Sequence, residues 1–157
     1  MAYRSFIARM AIDQMIYPTP FIDYCNSIET RLTSLRKSIL YILWHIEKPL
    51  KAYEILNELI QIKFNSKPPT VYRVLDYFVE CGVVHKIESI QSYTLCREPK
   101  KHLPSEVLMV CNRCHSVKEA YDKALITLIQ NLSSENAFKL GQDTIELKGI
   151  CYPCSNL

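Results

Sequence analysis

The chain has 157 residues, enough for one or two small domains, with 48% hydrophobic and 22% charged residues and a net charge of +3. That composition is ordinary for a soluble protein, no apolar run reaches the roughly 18 residues that span a bilayer, and the mixed start MAYRSFIARMAIDQMIY does not read as a secretory signal. The expected compartment is the reducing cytoplasm, where seven cysteines point to metal before disulfides.

Along the chain, the first 30 residues predict one or two helices interrupted at Tyr17–Pro20, because proline stops helices at or before its neighbour. Thr33 is the expected N-cap of the next helix, SLRKSILYILWHI, with Leu35, Ile39, Ile42, Leu43 and Ile46 at helical spacing. After the break EKPLK, AYEILNELIQI repeats the pattern with Ile55, Leu56, Leu59 and Ile60. Lys67 and two prolines then lead into TVYRVLDYFVECG. Here Val71, Val74, Leu75, Phe78 and Val79 form a core stripe, Tyr72, Arg73, Asp76, Tyr77 and Glu80 lie opposite, and Gly82 ends the helix. GVVHKIESIQSYTLC reads as two short strands around a polar turn.

Three helices followed by a hairpin is the order of a winged helix-turn-helix, whose last helix enters the major groove. The other reading is a generic helical domain with a solvated polar face. Residues 31–101 carry 12 Lys/Arg against 7 Asp/Glu, a net of +5, while residues 1–30 and 102–157 are each at −1. A basic middle suits a polyanionic partner.

REPKKHLPSE has two prolines and few apolar residues and reads as a hinge. Beyond it VLMV, SVKEA and DTIELKGI read as strands. Tyr121–Leu132 reads as a helix with Ala124, Leu125, Leu128, Ile129 and Leu132 inward. A unit of about 54 residues rarely builds an adequate core alone and needs metal or oligomerisation. CNRC (Cys111, Cys114) and CYPC (Cys151, Cys154) offer four thiolates in two C-x-x-C knuckles 36 residues apart. A redox disulfide or an iron–sulfur cluster would use the same residues. Structural zinc with four sulfurs is the favoured reading, because both pairs lie in the unit that needs a staple. Cys25 and Cys81 sit in helical patterns and read as small apolar residues.

LTSLRKSIL, AYEIL, KPPTVYRVLDYFVECGVVHKIES, SYTLC, CNRCHSVKE and GICYPC occur in this order. Together, from about Leu32 to Cys154, they resemble the ferric uptake regulator family, and its zinc uptake regulator branch in particular.

The resemblance implies an α+β chain: an N-terminal winged helix-turn-helix domain over 1–96, a hinge over 97–104, and a small α/β dimerisation domain over 105–157 stapled by structural zinc. It implies a homodimeric, zinc-responsive repressor that binds double-stranded operator DNA and shuts off zinc-uptake genes. No membrane, no small-molecule substrate and no enzymatic activity are expected.

By the same resemblance, Cys111, Cys114, Cys151 and Cys154 hold the structural zinc, and His85, Cys96, His102 and Glu119 hold a second, regulatory zinc, two per subunit. Thr70, Tyr72 and Arg73 face the DNA, with Lys67 and Lys37 as phosphate contacts. Two positions depart from the family pattern. His102 lies nine residues before Cys111, whereas the pattern puts its histidine seven before, where Pro104 stands. His115 follows the first knuckle where glycine is usual, and is expected in a turn rather than as a ligand.

An iron or peroxide sensor of the same family is the nearest alternative. The thiolate of Cys96 and the missing histidine-rich run argue against it. A zinc hydrolase of the nucleoside deaminase type needs His-x-Glu and Pro-Cys-x-x-Cys; here the hairpin histidine reads HKIE and the second knuckle has its proline inside, so the signature fails.

Overall fold

The computed structural model describes residues 16–62, 66–97, 99, 107–140 and 144–156. The predicted helical start over the first 15 residues and the candidate ligand His102 lie outside them. The chain divides into two compact units, Met1–Lys101 and His102–Leu157.

The first unit opens with α1, Thr19–Ser27, started by Pro18 and Pro20 and burying Phe21 and Cys25. Helix α2 covers Ser34–Ile46. Thr33 caps it, its Oγ1 accepting from the Arg36 N–H at 3.4 Å, as its sequence position predicts. It ends at Glu47, whose φ of 55° is left-handed. Helix α3, Ala52–Ile62, is started by the Glu54 carboxylate, which accepts from the Lys51 N–H at 2.7 Å. Helix α4, Pro68–Glu80, has prolines at its first two positions, where the missing N–H costs nothing. Its predicted stripe is buried through Val71, Val74, Leu75 and Phe78, with Val79 half-buried.

Gly82, at φ 67°, closes α4. The Gly82 N–H reaches the Val79 carbonyl at 3.0 Å and the Val83 N–H reaches that of Phe78 at 2.9 Å. These two bonds are a Schellman motif, which satisfies carbonyls the helix end would strand and turns the chain into the hairpin. Strands β1 (Val84–Ile87) and β2 (Ser92–Leu95) pair antiparallel, Val84 opposite Leu95 and His85 opposite Thr94. A short 3₁₀ turn, Glu88–Ile90, joins them. Leu50 and Tyr93 exchange both backbone bonds, at 2.8 and 2.9 Å, tying the hairpin to the segment before α3. One core runs through α1–α4 and the hairpin, and includes Phe21, Ile39, Leu40, Ile55, Leu59 and Leu75. Leu40, outside the predicted stripe, is fully buried in the same core, since α2 packs against α1, α3, α4 and β2.

The second unit is a three-stranded sheet in the order β4-β3-β5 with one long helix. Strand β3 (Val107–Cys111) pairs antiparallel with β4 (Val117–Ala120) and parallel with β5 (Ile145–Gly149). Parallel neighbours need a crossover, supplied by α5, Lys123–Glu135. Asp122 caps α5, its carboxylate accepting from the Ala124 and Leu125 N–H groups at 2.8 and 3.0 Å. A last short helix, α6, spans Tyr152–Ser155.

The predicted inward stripe of α5 is corrected here. Ile126 is the buried residue of this helix, and Ile129 is half-buried. Ala124 is exposed, and Leu125, Leu128 and Leu132 stand 37, 65 and 61% exposed. A small unit covers only one side of its helix, and Ile126 is on the covered side. Cys81 differs too: it is the C-cap of α4 and exposed, while Cys25 is buried in the core as expected.

Candidate metal centres and the exposed face of helix α4

The parallel register of the second unit brings the two knuckles together. Cys111 at the end of β3 pairs with Gly149 at the end of β5, two residues before Cys151. The first knuckle turns tightly, with the Cys111 N–H on the Ser116 carbonyl and the His115 N–H on the Cys111 carbonyl, both at 3.0 Å. His115 sits at the turn with φ 57° and is exposed. The second knuckle is wound into α6, where the Cys154 and Ser155 N–H groups both donate to the Cys151 carbonyl at 2.9 Å. Arg113 joins the two knuckles, donating from Nη1 to the Cys154 carbonyl at 2.6 Å.

The sulfurs of Cys111, Cys114, Cys151 and Cys154 all lie within 4.8 Å of one another, and all four cysteines are free. Cys114 and Cys151 are 3.6 Å apart at sulfur. Tetrahedral zinc with bonds of about 2.3 Å sets its sulfurs about 3.8 Å apart, so this cluster already has the spacing the ion requires.

The surroundings favour thiolate. Backbone N–H groups of Cys114 and Cys151 hold the Cys111 thiol down at about 5. The Ser116 hydroxyl, 3.1 Å from Cys114, lowers that thiol as well. Cys154 is pushed up to about 12, first by the Cys151 sulfur and then by Cys114. Four sulfurs this close cannot all carry charge without a cation, so the last holds its proton. A divalent ion removes that conflict. The donor set therefore fits structural zinc, with no open position for water and so no hydrolytic chemistry.

In the first unit, His85 and Cys96 are 2 and 0% exposed. The hairpin register puts them there. His85 lies opposite Thr94 and the Cys96 N–H bonds the Val83 carbonyl at 2.9 Å, so the two side chains leave the same face on a diagonal. A ring nitrogen of His85 and the Cys96 sulfur lie within 4.8 Å. The Tyr24 hydroxyl donates to the Cys96 carbonyl at 2.7 Å, holding the strand end against α1. An imidazole and a thiolate side by side suit zinc better than iron(II) or manganese. In the second unit Glu119 is half-buried on β4, opposite Leu108.

On α4, Tyr72 is 49% exposed, Arg73 is exposed and Thr70 is half-buried; Lys67 is exposed just before the helix. Lys37 is half-buried on α2, its Nζ 4.7 Å from the centre of the Tyr17 ring. Sequence reasoning did not single out Arg36, whose guanidinium covers the Tyr77 ring of α4 at 3.4 Å. Helical periodicity sets Tyr77 off the predicted stripe and does not show what lies over it; its ring is half-buried and packs against the edge of the core.

The ferric uptake regulator family model matches residues 27–148. The chain is 34% identical over 130 residues to the zinc uptake regulation protein of Escherichia coli K12, covering 83% of this chain and 76% of that protein. It is 25% identical over 114 residues to the ferric uptake regulation protein of Neisseria gonorrhoeae, covering 70% of this chain and 75% of the other. Among solved structures, a zinc uptake regulator complexed with zinc and DNA matches at TM-score 0.76 and 32% identity, over 86% of this chain and 90% of that one. Holo XcZur matches at 0.78 and 30%, over 88 and 99%. With the helix-turn-helix, the hairpin and the first knuckle all inside the matched residues, and a relative 34% identical over 83% of the chain, the chain belongs to the ferric uptake regulator family.

Proposed function

We propose that this chain is a zinc-responsive, DNA-binding transcriptional repressor, acting as a cytoplasmic homodimer and not as an enzyme. The observation that carries the zinc reading is the buried pair His85 and Cys96, with ligand atoms within 4.8 Å in a hairpin that needs neither residue to pair its strands. The similarity to a regulator complexed with zinc and DNA supports the same reading. Iron sensing gains less support: the ferric relative is the more distant, and a thiolate ligand disfavours iron(II).

In this reading the winged helix runs to Cys96, residues 97–104 are a hinge, and the rest dimerises through surfaces such as the exposed leucines of α5. Each subunit takes two zinc ions. Cys111, Cys114, Cys151 and Cys154 hold the structural one. His85 and Cys96, with His102 and Glu119 assigned from the family pattern, hold the regulatory one. Zinc held by these residues would supply the effector charge and ligation that favour the DNA-binding form. The chain's own residues do the reading: Thr70, Tyr72 and Arg73 meet the DNA from α4, and Lys67 and Lys37 meet its phosphates.

The test is Cys96→Ser. It keeps the knuckles, so it is expected to stay folded while binding about one zinc fewer per subunit. Coupling between such sites is typically about 1–3 kcal/mol, or roughly 5–150-fold. Gel shifts under buffered zinc, beside iron and manganese, should therefore show weak DNA binding with little zinc response. Unchanged zinc content with unchanged zinc-dependent binding rejects the regulatory site.

A further inference from the structure

The segment between α1 and α2, together with the first turn of α2, grips α4 at Tyr77, a half-buried residue beside the core stripe. Tyr77 lies on α4 one turn after Arg73. The Arg36 guanidinium covers its ring, 3.4 Å from the centre. Its hydroxyl is hydrogen-bonded to Thr30 Oγ1. Thr30 Oγ1 also stands 3.6 Å from the sulfur of Cys81, the C-cap of α4. Arg36 in turn donates from Nη1 to the Arg31 carbonyl at 3.0 Å, which fixes the guanidinium to the same segment.

The inner side of α4 is held by Val71, Val74, Leu75 and Phe78. Apolar burial is strong but non-directional, so polar contacts add to what fixes the rotation of the helix about its axis. Reading base edges is not tolerant of rotation. Side-chain tips lie about 5–6 Å from the axis, so a turn of about 20° moves them about 2 Å, more than a hydrogen bond accepts. The hydrogen bond and the guanidinium–ring contact are directional, and both act on Tyr77, a half-buried ring beside the apolar stripe.

We propose that Thr30, Arg36 and Tyr77 form a latch that sets the rotation of α4, making Arg36 a positioning residue for base reading by Arg73. The proposal rests on the DNA-binding reading above. Arg36 acts through Tyr77 and does not itself contact phosphate.

The experiment uses full-length protein loaded with zinc and a duplex selected by the wild type from a random-sequence pool, beside an unselected duplex. Arg36→Lys keeps the charge but has no planar face to stack. Arg36→Lys and Tyr77→Leu should each lower affinity for the selected duplex about tenfold. Affinity for the unselected duplex, the salt slope, zinc content and far-ultraviolet circular dichroism should stay unchanged. Because the two residues act as one unit, the double variant should also lose only about tenfold.

Wild-type affinity in Arg36→Lys overturns the latch. So does an Arg36→Ala variant that weakens binding to both duplexes and reduces the salt slope by about one, the signature of a phosphate contact. An additive loss of about a hundredfold in the double variant overturns it as well. If the wild type selects no duplex at all, the DNA-binding reading itself fails, a result visible before any variant is made.

Discussion

His115 occupies the turn of the first knuckle with φ 57°, a left-handed conformation that costs an L side chain about 1–2 kcal/mol and glycine almost nothing. Its side chain is exposed, and its backbone N–H closes the turn onto the Cys111 carbonyl. His115→Gly should therefore stabilise the zinc-loaded protein by up to about 1 kcal/mol, read as a higher thermal midpoint at unchanged zinc content. A lower midpoint would show that the imidazole contributes more than the turn strain removes. The turn at this position was legible from the family resemblance, which puts glycine where His115 stands. The burial of His85 was not. A strand of four residues says which side chains share a face, but not which face the rest of the unit covers.

Helices α4 and α5 have the same length and similar apolar periodicity, yet they use it differently. The stripe of α4 goes into the core, as its spacing predicts, and leaves Tyr72 and Arg73 outward. Arg73→Ala should lose roughly 1–3 kcal/mol of zinc-dependent affinity if Arg73 reads a base, measured by gel shift on a selected duplex. A loss below about threefold would contradict a base contact. The stripe of α5 points out through Leu125, Leu128 and Leu132. Periodicity identifies an apolar side and is silent about whether the same chain or another covers it. If a second subunit does, Leu128→Asp should give a monomer in analytical ultracentrifugation with native helix content, since Leu128 is 65% exposed and does not support its own unit's core. A dimer of wild-type stability would exclude this face from the interface.

At the scale of the whole molecule, the two units are held by different physics. The first has a continuous apolar core drawn from four helices and a hairpin. Among the described residues the second buries only four apolar side chains, Val107, Leu108, Val110 and Ile126, beside the two cysteines Cys111 and Cys154. Structural zinc contributes about 10–16 kcal/mol in small domains, comparable to the whole stability of one. Cys111→Ser, or a strong chelator, should thus unfold the second unit while the first keeps its helical signal, seen as partial loss of circular dichroism and loss of dimer in sedimentation. A second unit that stays folded without metal would show that its apolar core suffices. The need for a staple was legible from unit size and the paired cysteines. The latch from Thr30 to Tyr77 was not, because it joins side chains 47 residues apart with no periodic pattern between them.

The parallel pairing of β3 with β5 has a temporal consequence. Cys111 and Cys151 lie 40 residues apart, and the sheet that unites them requires α5 to cross over first. At about 5–20 residues per second, the ribosome takes roughly 2–8 seconds to make that stretch. Throughout it the first cysteine pair is a half-site that cannot complete a tetrahedron. The closed four-sulfur site therefore forms late, only once α5 and β5 have been made and the second knuckle has arrived.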